Sequence, residues 1–224
     1  MGRDFQAKDR QLRRKATKEA RRASYARILI VTEGRKTEPL YLEEICAVHQ
    51  LHSANVAVQS GQLGTAPIQV VRYAQRLFEE GDLHKGIRPK SFDQVYAVFD
   101  RDDHESYFDA LSLAKSLDGK LRNDDRQPVS FKAIASIPSF ELWLLLHYDD
   151  IQHPVHRDEV MTRLKRHLPG YDKGAGGAFA ITRDRLDVAT RRAQALAAKC
   201  NAYTAPDPFT ALHELVTLLS TLRV

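Results

Sequence analysis

Two apolar runs in this chain carry hydrophobic residues at nearly every position instead of every second one: Ile28-Leu29-Ile30-Val31 and Val95-Tyr96-Ala97-Val98-Phe99. A run that is apolar on both faces fits a central parallel strand covered by helices above and below. A shorter segment, Asn55 to Gln59, alternates Val56 and Val58, and Val129 to Ile137 reads as a further strand. Between these lie stripes at helical spacing. Leu40, Tyr41, Ile45 and Val48 form one, with Thr37 expected as its N-cap and Pro39 in its first turn. Ile68, Val71, Ala74 and Phe78 form another, opened by Thr65-Ala66-Pro67. Ser106 to Leu117 and Phe140 to Leu146 complete the set, and Gly34 is expected to turn the chain after the first strand through a positive φ. Strand and helix alternate four times, which predicts an α/β fold with a mainly parallel sheet sandwiched by helices.

Beyond residue 150 the strand signals stop. Helices are expected over His156–His167, Asp184–Lys199 and Phe209–Leu222, with Gly174-Ala175-Gly176-Gly177 as a flexible loop and no internal repeat. The predicted organisation is therefore an arm over 1–25, an α/β core over 26–150 and a C-terminal helical subdomain over 151–224 packed on that core.

Composition adds little until charge is placed along the chain. The 224 residues are 43% hydrophobic and 28% charged, enough for one large or two small cores. No apolar run approaches the roughly 20 residues of a membrane span, and no apolar secretory segment is read at the N-terminus. Cys46 and Cys200 have no CxxC spacing, so they are expected as free thiols in a reducing cytoplasm. The net charge of +5 is concentrated in the arm, and the body is close to neutral. Arg13, Arg14, Lys15, Lys18, Arg21 and Arg22, with Arg35 and Lys36 after the first strand, are the candidate nucleic-acid-binding residues. Such an arm either grips phosphate backbones without reading sequence or stands as a solvated tail.

The chemistry concentrates at strand ends. Asp100, Asp102 and Asp103 follow the third strand, and Glu33 occupies the same position after the first. Ligands of parallel α/β sheets gather outside the carboxyl ends of the strands. If the two strands are neighbours, Glu33 and Asp100 can face one ion, and Asp102, two residues on, can point to the same side. A hard cation such as Mg²⁺ takes one or two carboxylates and keeps several waters, which suits an open acidic site. The alternative is that these acids are solvated or cap the next helix, Asp103 in particular. Glu141, after a proline break, either joins the site or complements the dipole of its own helix. His104 is the one histidine beside the acids. The histidines lack HxH or HExxH spacing, and there is no GxxxxGK[ST] loop.

In order along the chain, Ile30-Val31-Thr32-Glu33-Gly34 and Val98-Phe99-Asp100-Arg101-Asp102 resemble the Toprim fold of topoisomerases, primases and OLD-type nucleases. With Glu33-Gly34-Arg35-Lys36-Thr37-Glu38-Pro39-x-Tyr41, Ser136-Ile137-Pro138-Ser139-Phe140-Glu141-Leu142-Trp143 and Asp207-Pro208-x-Thr210, they resemble the RloB-like (AbiLii-like) family over about residues 26–222. The resemblance implies a Toprim-like nuclease that uses Mg²⁺ or Mn²⁺ on RNA or DNA, in bacterial anti-phage defence. It implies that Asp100 and Asp102 hold metal and that Glu33 holds metal or acts as acid or base. Glu38, in the helix after Glu33, is the expected extra ligand, with Asp103 and Glu141 as further candidates. Lys173 is expected to reach the scissile phosphate, as a late lysine does in OLD-type nucleases. An AAA or ABC-type ATPase is the implied partner, and a homo-oligomer is compatible with the sequence. The competing expectation is a partner-activated effector or sensor subunit, inert alone, whose arm is a docking segment.

Overall fold

The computed structural model describes residues 26–64, 66–101, 105–203 and 208–222. The basic arm, Thr65, Asp102, Asp103, His104 and Asp207 lie outside the described residues. Strand β1 (Ile28–Thr32) leads to helix α1 (Thr37–Val48), then β2 (Val56–Ser60), α2 (Pro67–Glu80) and β3 (Gln94–Asp100). These are followed by α3 (Tyr107–Leu117), β4 (Ser130–Ile137) and α4 (Glu141–Leu146). The remaining elements are α5 (Arg157–His167), α6 (Ala178–Thr182), α7 (Leu186–Ala197), β5 (Phe209–Thr210) and α8 (Leu212–Thr221).

The five strands make one sheet in the order β2-β1-β3-β4-β5, with the first four parallel and β5 antiparallel to β4. The chain is α/β, as the alternation of strands and helices predicts. Successive side chains of a strand point to opposite faces, and both faces are apolar here. Ile28, Ile30, Tyr96, Val98 and Ile134 enter one core, with α1, α4 and the helices that follow. Leu29, Val31, Val95, Ala97 and Phe99 enter the other, with α2 and α3. Each fully buried aliphatic side chain contributes roughly 1.5–3 kcal/mol, so the unbroken apolar runs are what holds the sheet between its two layers.

Several local expectations change. The last strand, β5, falls where a helix is expected to begin. Two residues carry no period, and Phe209 fits the helical stripe of Leu212 and Leu215 equally well. The Gly-rich segment leads into a short helix, α6, that its composition hides. Thr37 is the first helical residue, and the N-cap position belongs to Lys36, without a side-chain cap. Val48, on the apolar stripe by spacing, stands 49% exposed. Gly34 has no positive φ. Arg27, at the inner end of the cationic arm, is committed to the fold: its guanidinium binds Asp93 at 2.8 Å and Asp124 at 2.7 Å.

Trp143, expected in the core, is fully buried and donates its indole N–H to the Tyr41 hydroxyl at 2.8 Å. Tyr41 meets Phe140 and Phe179 edge-on, each at 5.5 Å, so α1, α4 and α6 share one aromatic junction. Trp143→Phe removes the donor to a buried hydroxyl and is expected to lower stability by roughly 1–3 kcal/mol. Urea unfolding should show this as a lower midpoint with an unchanged slope.

Candidate functional site

Glu33 and Asp100 meet because of the strand order. From β1 the chain crosses over α1, on one face, to β2 at the left. From β2 it crosses over α2, on the other face, to β3 at the right. The strands therefore part in opposite directions between β1 and β3, the kind of switch point at which open α/β sheets form a crevice. Thr32 stands opposite Val98 in the register, so Glu33 and the end of β3 lie side by side. Glu33 donates its N–H to the Val98 carbonyl at 2.8 Å, and the Asp100 N–H donates to Glu33 Oε2 at 3.0 Å.

Two further acids join them. Glu38, in the first turn of α1, folds back so that its carboxylate lies against Gly34, where a Cβ would collide with it. A side chain at position 34 would therefore displace the end of the Glu38 side chain. Glu141 opens α4 and is 3% exposed. Ser139 donates to its Oε2 at 2.8 Å, Lys173 Nζ lies 2.8 Å from its Oε1, and the Tyr171 hydroxyl donates to the same oxygen at 3.4 Å. Lys173 reaches the site from the loop before α6, and that loop is anchored. Gly174, at φ +79°, packs so closely on Lys36 that an added Cβ would stand 2.7 Å from the lysine Cβ. The Glu44 carboxylate of α1 accepts the N–H groups of Gly177 and Phe179 at the start of α6.

Together Glu33, Glu38, Asp100, Glu141, Arg35, Lys36, Arg157 and Lys173, with Gly34 and Thr37, line a cavity of about 380 Å³. Its electrostatics is strained. Burial holds the Asp100 carboxyl well above the ordinary carboxylate range, and the charges of Glu38, Glu33 and Glu141 add to the rise. A backbone hydrogen bond from Phe140 opposes it. Glu38 is raised by burial and by Glu141, and lowered by backbone hydrogen bonds and by Lys173. Such a cluster loses energy whenever it is fully ionised without a counter-cation.

Among the described residues, no three His, Cys, Asp or Glu side chains form a ready metal-holding group. The donors are all carboxylate oxygens, however, and a hexahydrated type of cation that keeps most of its waters needs only one or two of them. The donor chemistry thus fits Mg²⁺ or Mn²⁺ and does not fit a closed zinc cage. Of the sequence candidates, the structure brings Glu33, Glu38, Asp100, Glu141, Lys173, Arg35 and Lys36 to one cavity. Asp102, Asp103 and the six arm residues lie outside the described residues.

Arg157, Tyr171 and Ser139 are site neighbours that sequence reasoning passes over. Ser139 and Tyr171 lie within two residues of Glu141 and Lys173, a local signal. Arg157 has none, because only the packing of α5 against α4 brings it near.

A profile of the family described as RloB-like protein matches residues 28–219, and the chain belongs to that family. Comparison with curated proteins and with solved structures found no match.

The linkage between charge and stability has a definite sign. A carboxyl raised in the folded state stabilises the fold below its unfolded pKa, and that share is lost as pH rises through the folded value. Metal-free protein should therefore lose stability as pH climbs from about 4 toward neutrality. Asp100→Asn is expected to recover on the order of 1 kcal/mol near neutral pH, the usual scale for relieving a strained functional site, with no gain at acid pH. Thermal melts in EDTA across that range provide the measurement.

Proposed function

We propose that this RloB-like chain is a divalent-metal-dependent nuclease that hydrolyses phosphodiester bonds of RNA or DNA. The observation that carries the reading is the convergence of four carboxylates and four cations on one cavity at the switch point of the sheet. A site for a neutral substrate would have no use for both signs of charge at this density. Asp100 and Glu33, with Glu38 beside them, would hold Mg²⁺ or Mn²⁺, and Asp102, next but one along the chain, is the further ligand that the Toprim-like resemblance proposes. When bound, the metal would draw charge from a phosphate oxygen and lower the pKa of an attacking water.

The chain's own residues supply the rest. The Asp100 N–H orients the Glu33 carboxylate at the cavity wall. Glu141 holds Lys173 at the cavity wall, and the lysine carries the charge that meets the phosphate as it becomes more negative. Arg35, Lys36 and Arg157 provide positive charge for the phosphates on either side. The wider setting proposed with this activity is anti-phage defence, in the company of an ATPase, and the basic arm would add sequence-independent grip.

Purified protein incubated with DNA, tRNA and mRNA should cleave at least one of them in Mg²⁺ or Mn²⁺ and none in EDTA. Asp100→Ala and Asp102→Ala should each reduce cleavage by more than about 100-fold, the upper range seen when groups supporting a metal are removed. Lys173→Ala should slow cleavage while leaving binding in EDTA nearly unchanged. Cleavage that survives both aspartate variants would sink the assignment.

A further inference from the structure

Immediately beyond Asp100 the chain builds a feature for which the acidic cleft has no use. The Arg101 guanidinium lies over two rings of α3, 5.6 Å from the centre of Tyr107 and 5.5 Å from that of Phe108. Phe108 in turn lies nearly parallel to Tyr203, at 19° with centres 6.2 Å apart. Tyr107 is buried, meets Phe99 edge-on at 5.9 Å, and donates its hydroxyl to the Ala202 carbonyl at 3.0 Å. That bond fixes the turn carrying Tyr203 against α3.

Core packing accounts for Tyr107 but not for its neighbours. Phe108 is 43% exposed and Tyr203 50% exposed, although aromatic rings gain most by burial. Helix α3 already faces the core with Tyr107, Ala110, Leu111 and Ala114, so Phe108 is not needed to hold it. Arg101 follows Asp100 directly in the chain and lies over both α3 rings, which sets the rings beside the strand end that carries the cleft.

We propose that Phe108 and Tyr203, with Arg101, form a stacking subsite for an unpaired nucleobase next to the phosphate in the acidic cleft. The inference rests on the nuclease reading and narrows it: the polynucleotide is taken as a single strand. Aromatic side chains bind bases through their faces without reading sequence, and guanidinium groups stack and pair with phosphate at once. A duplex keeps its base faces inside the stack and cannot use such a platform. A protein partner is a poorer match. Two rings and one arginine fall far short of the roughly 800 Å² that each side of a stable protein interface buries, whereas they suit one base.

The test uses the full chain in EDTA, where binding is separated from cleavage. Fluorescence anisotropy compares single-stranded DNA and RNA oligonucleotides with an abasic strand of equal length and with a duplex. Wild type should prefer the base-bearing strands. Phe108→Leu and Tyr203→Leu keep apolar volume but lose the ring, and thermal melts report whether they fold. Each should weaken base-bearing strands about tenfold, leaving the abasic strand and the salt slope unchanged. A 2-aminopurine base in the strand should be quenched by wild type and less so by either variant. Equal wild-type affinity for base-bearing and abasic strands, or a Phe108→Leu protein that binds as wild type does, would overturn the platform and leave the cleavage reading standing. Base-dependent binding with no cleavage after metal is added would support the platform and remove the nuclease reading. No polynucleotide binding at all would overturn both.

Discussion

The parallel pairing of β1 with β3 is the constraint on which the rest of the molecule depends. Thr32 faces Val98 across the ladder, and the Asp100 N–H then finds Glu33. A slip of one residue would turn every side chain of β1 to the opposite face, exchanging Ile28 and Ile30 with Leu29 and Val31 between two cores that each fit one set. The apolar alternation thus protects the register, and the register sets the distance between the acids. Packing energy spread over two layers is what keeps two mutually repelling carboxylates side by side.

That repulsion shapes everything around the cleft. The Glu38 carboxylate lies against Gly34, and Lys173 is carried in on a loop held by Lys36 and Glu44. Glu141 is satisfied from both sides, by Ser139 on one oxygen and Lys173 and Tyr171 on the other. The Asp100 carboxyl is instead pushed well above the ordinary carboxylate range by burial and by the charges of Glu38, Glu33 and Glu141. The fold therefore pairs the peripheral acid and leaves the charged form of the central one disfavoured, an arrangement that lowers stability and is expected where chemistry is done.

The sequence makes visible what is local. Unbroken apolar runs announce β1 and β3, and the acids at their ends can be read directly, because a strand and the loop after it are adjacent in the chain. Asp100 and Glu33 can be paired from this alone once a parallel sheet is assumed. Less accessible are relations that only tertiary packing creates. Glu38 follows Glu33 by five residues, yet its closeness to Gly34 comes from a side-chain fold-back that no spacing encodes. Arg157 reaches the cavity through α5, and β5 is too short to carry a period. The Gly174 loop reads as flexible from its composition, whereas Gly174 itself is packed closely on Lys36, the residue before α1.

In the proposed reading, charge and stacking would divide the work of holding a polyanion between two neighbouring surfaces. A phosphate brought to Glu33, Glu38, Asp100 and Glu141 meets four acids, and Coulomb repulsion at such separations amounts to several kcal/mol at the dielectric of a protein surface. Arg35, Lys36, Arg157 and Lys173 offset part of this, but Lys173 is already committed to Glu141. Binding through the cleft alone would therefore be weak until a divalent cation arrives. The rings of Phe108 and Tyr203 carry no net charge, so the attraction proposed between them and a base would not depend on that cation. A strand held first by its base and then by its phosphate would approach the cleft in a defined order, with the metal completing a site that the substrate has already found.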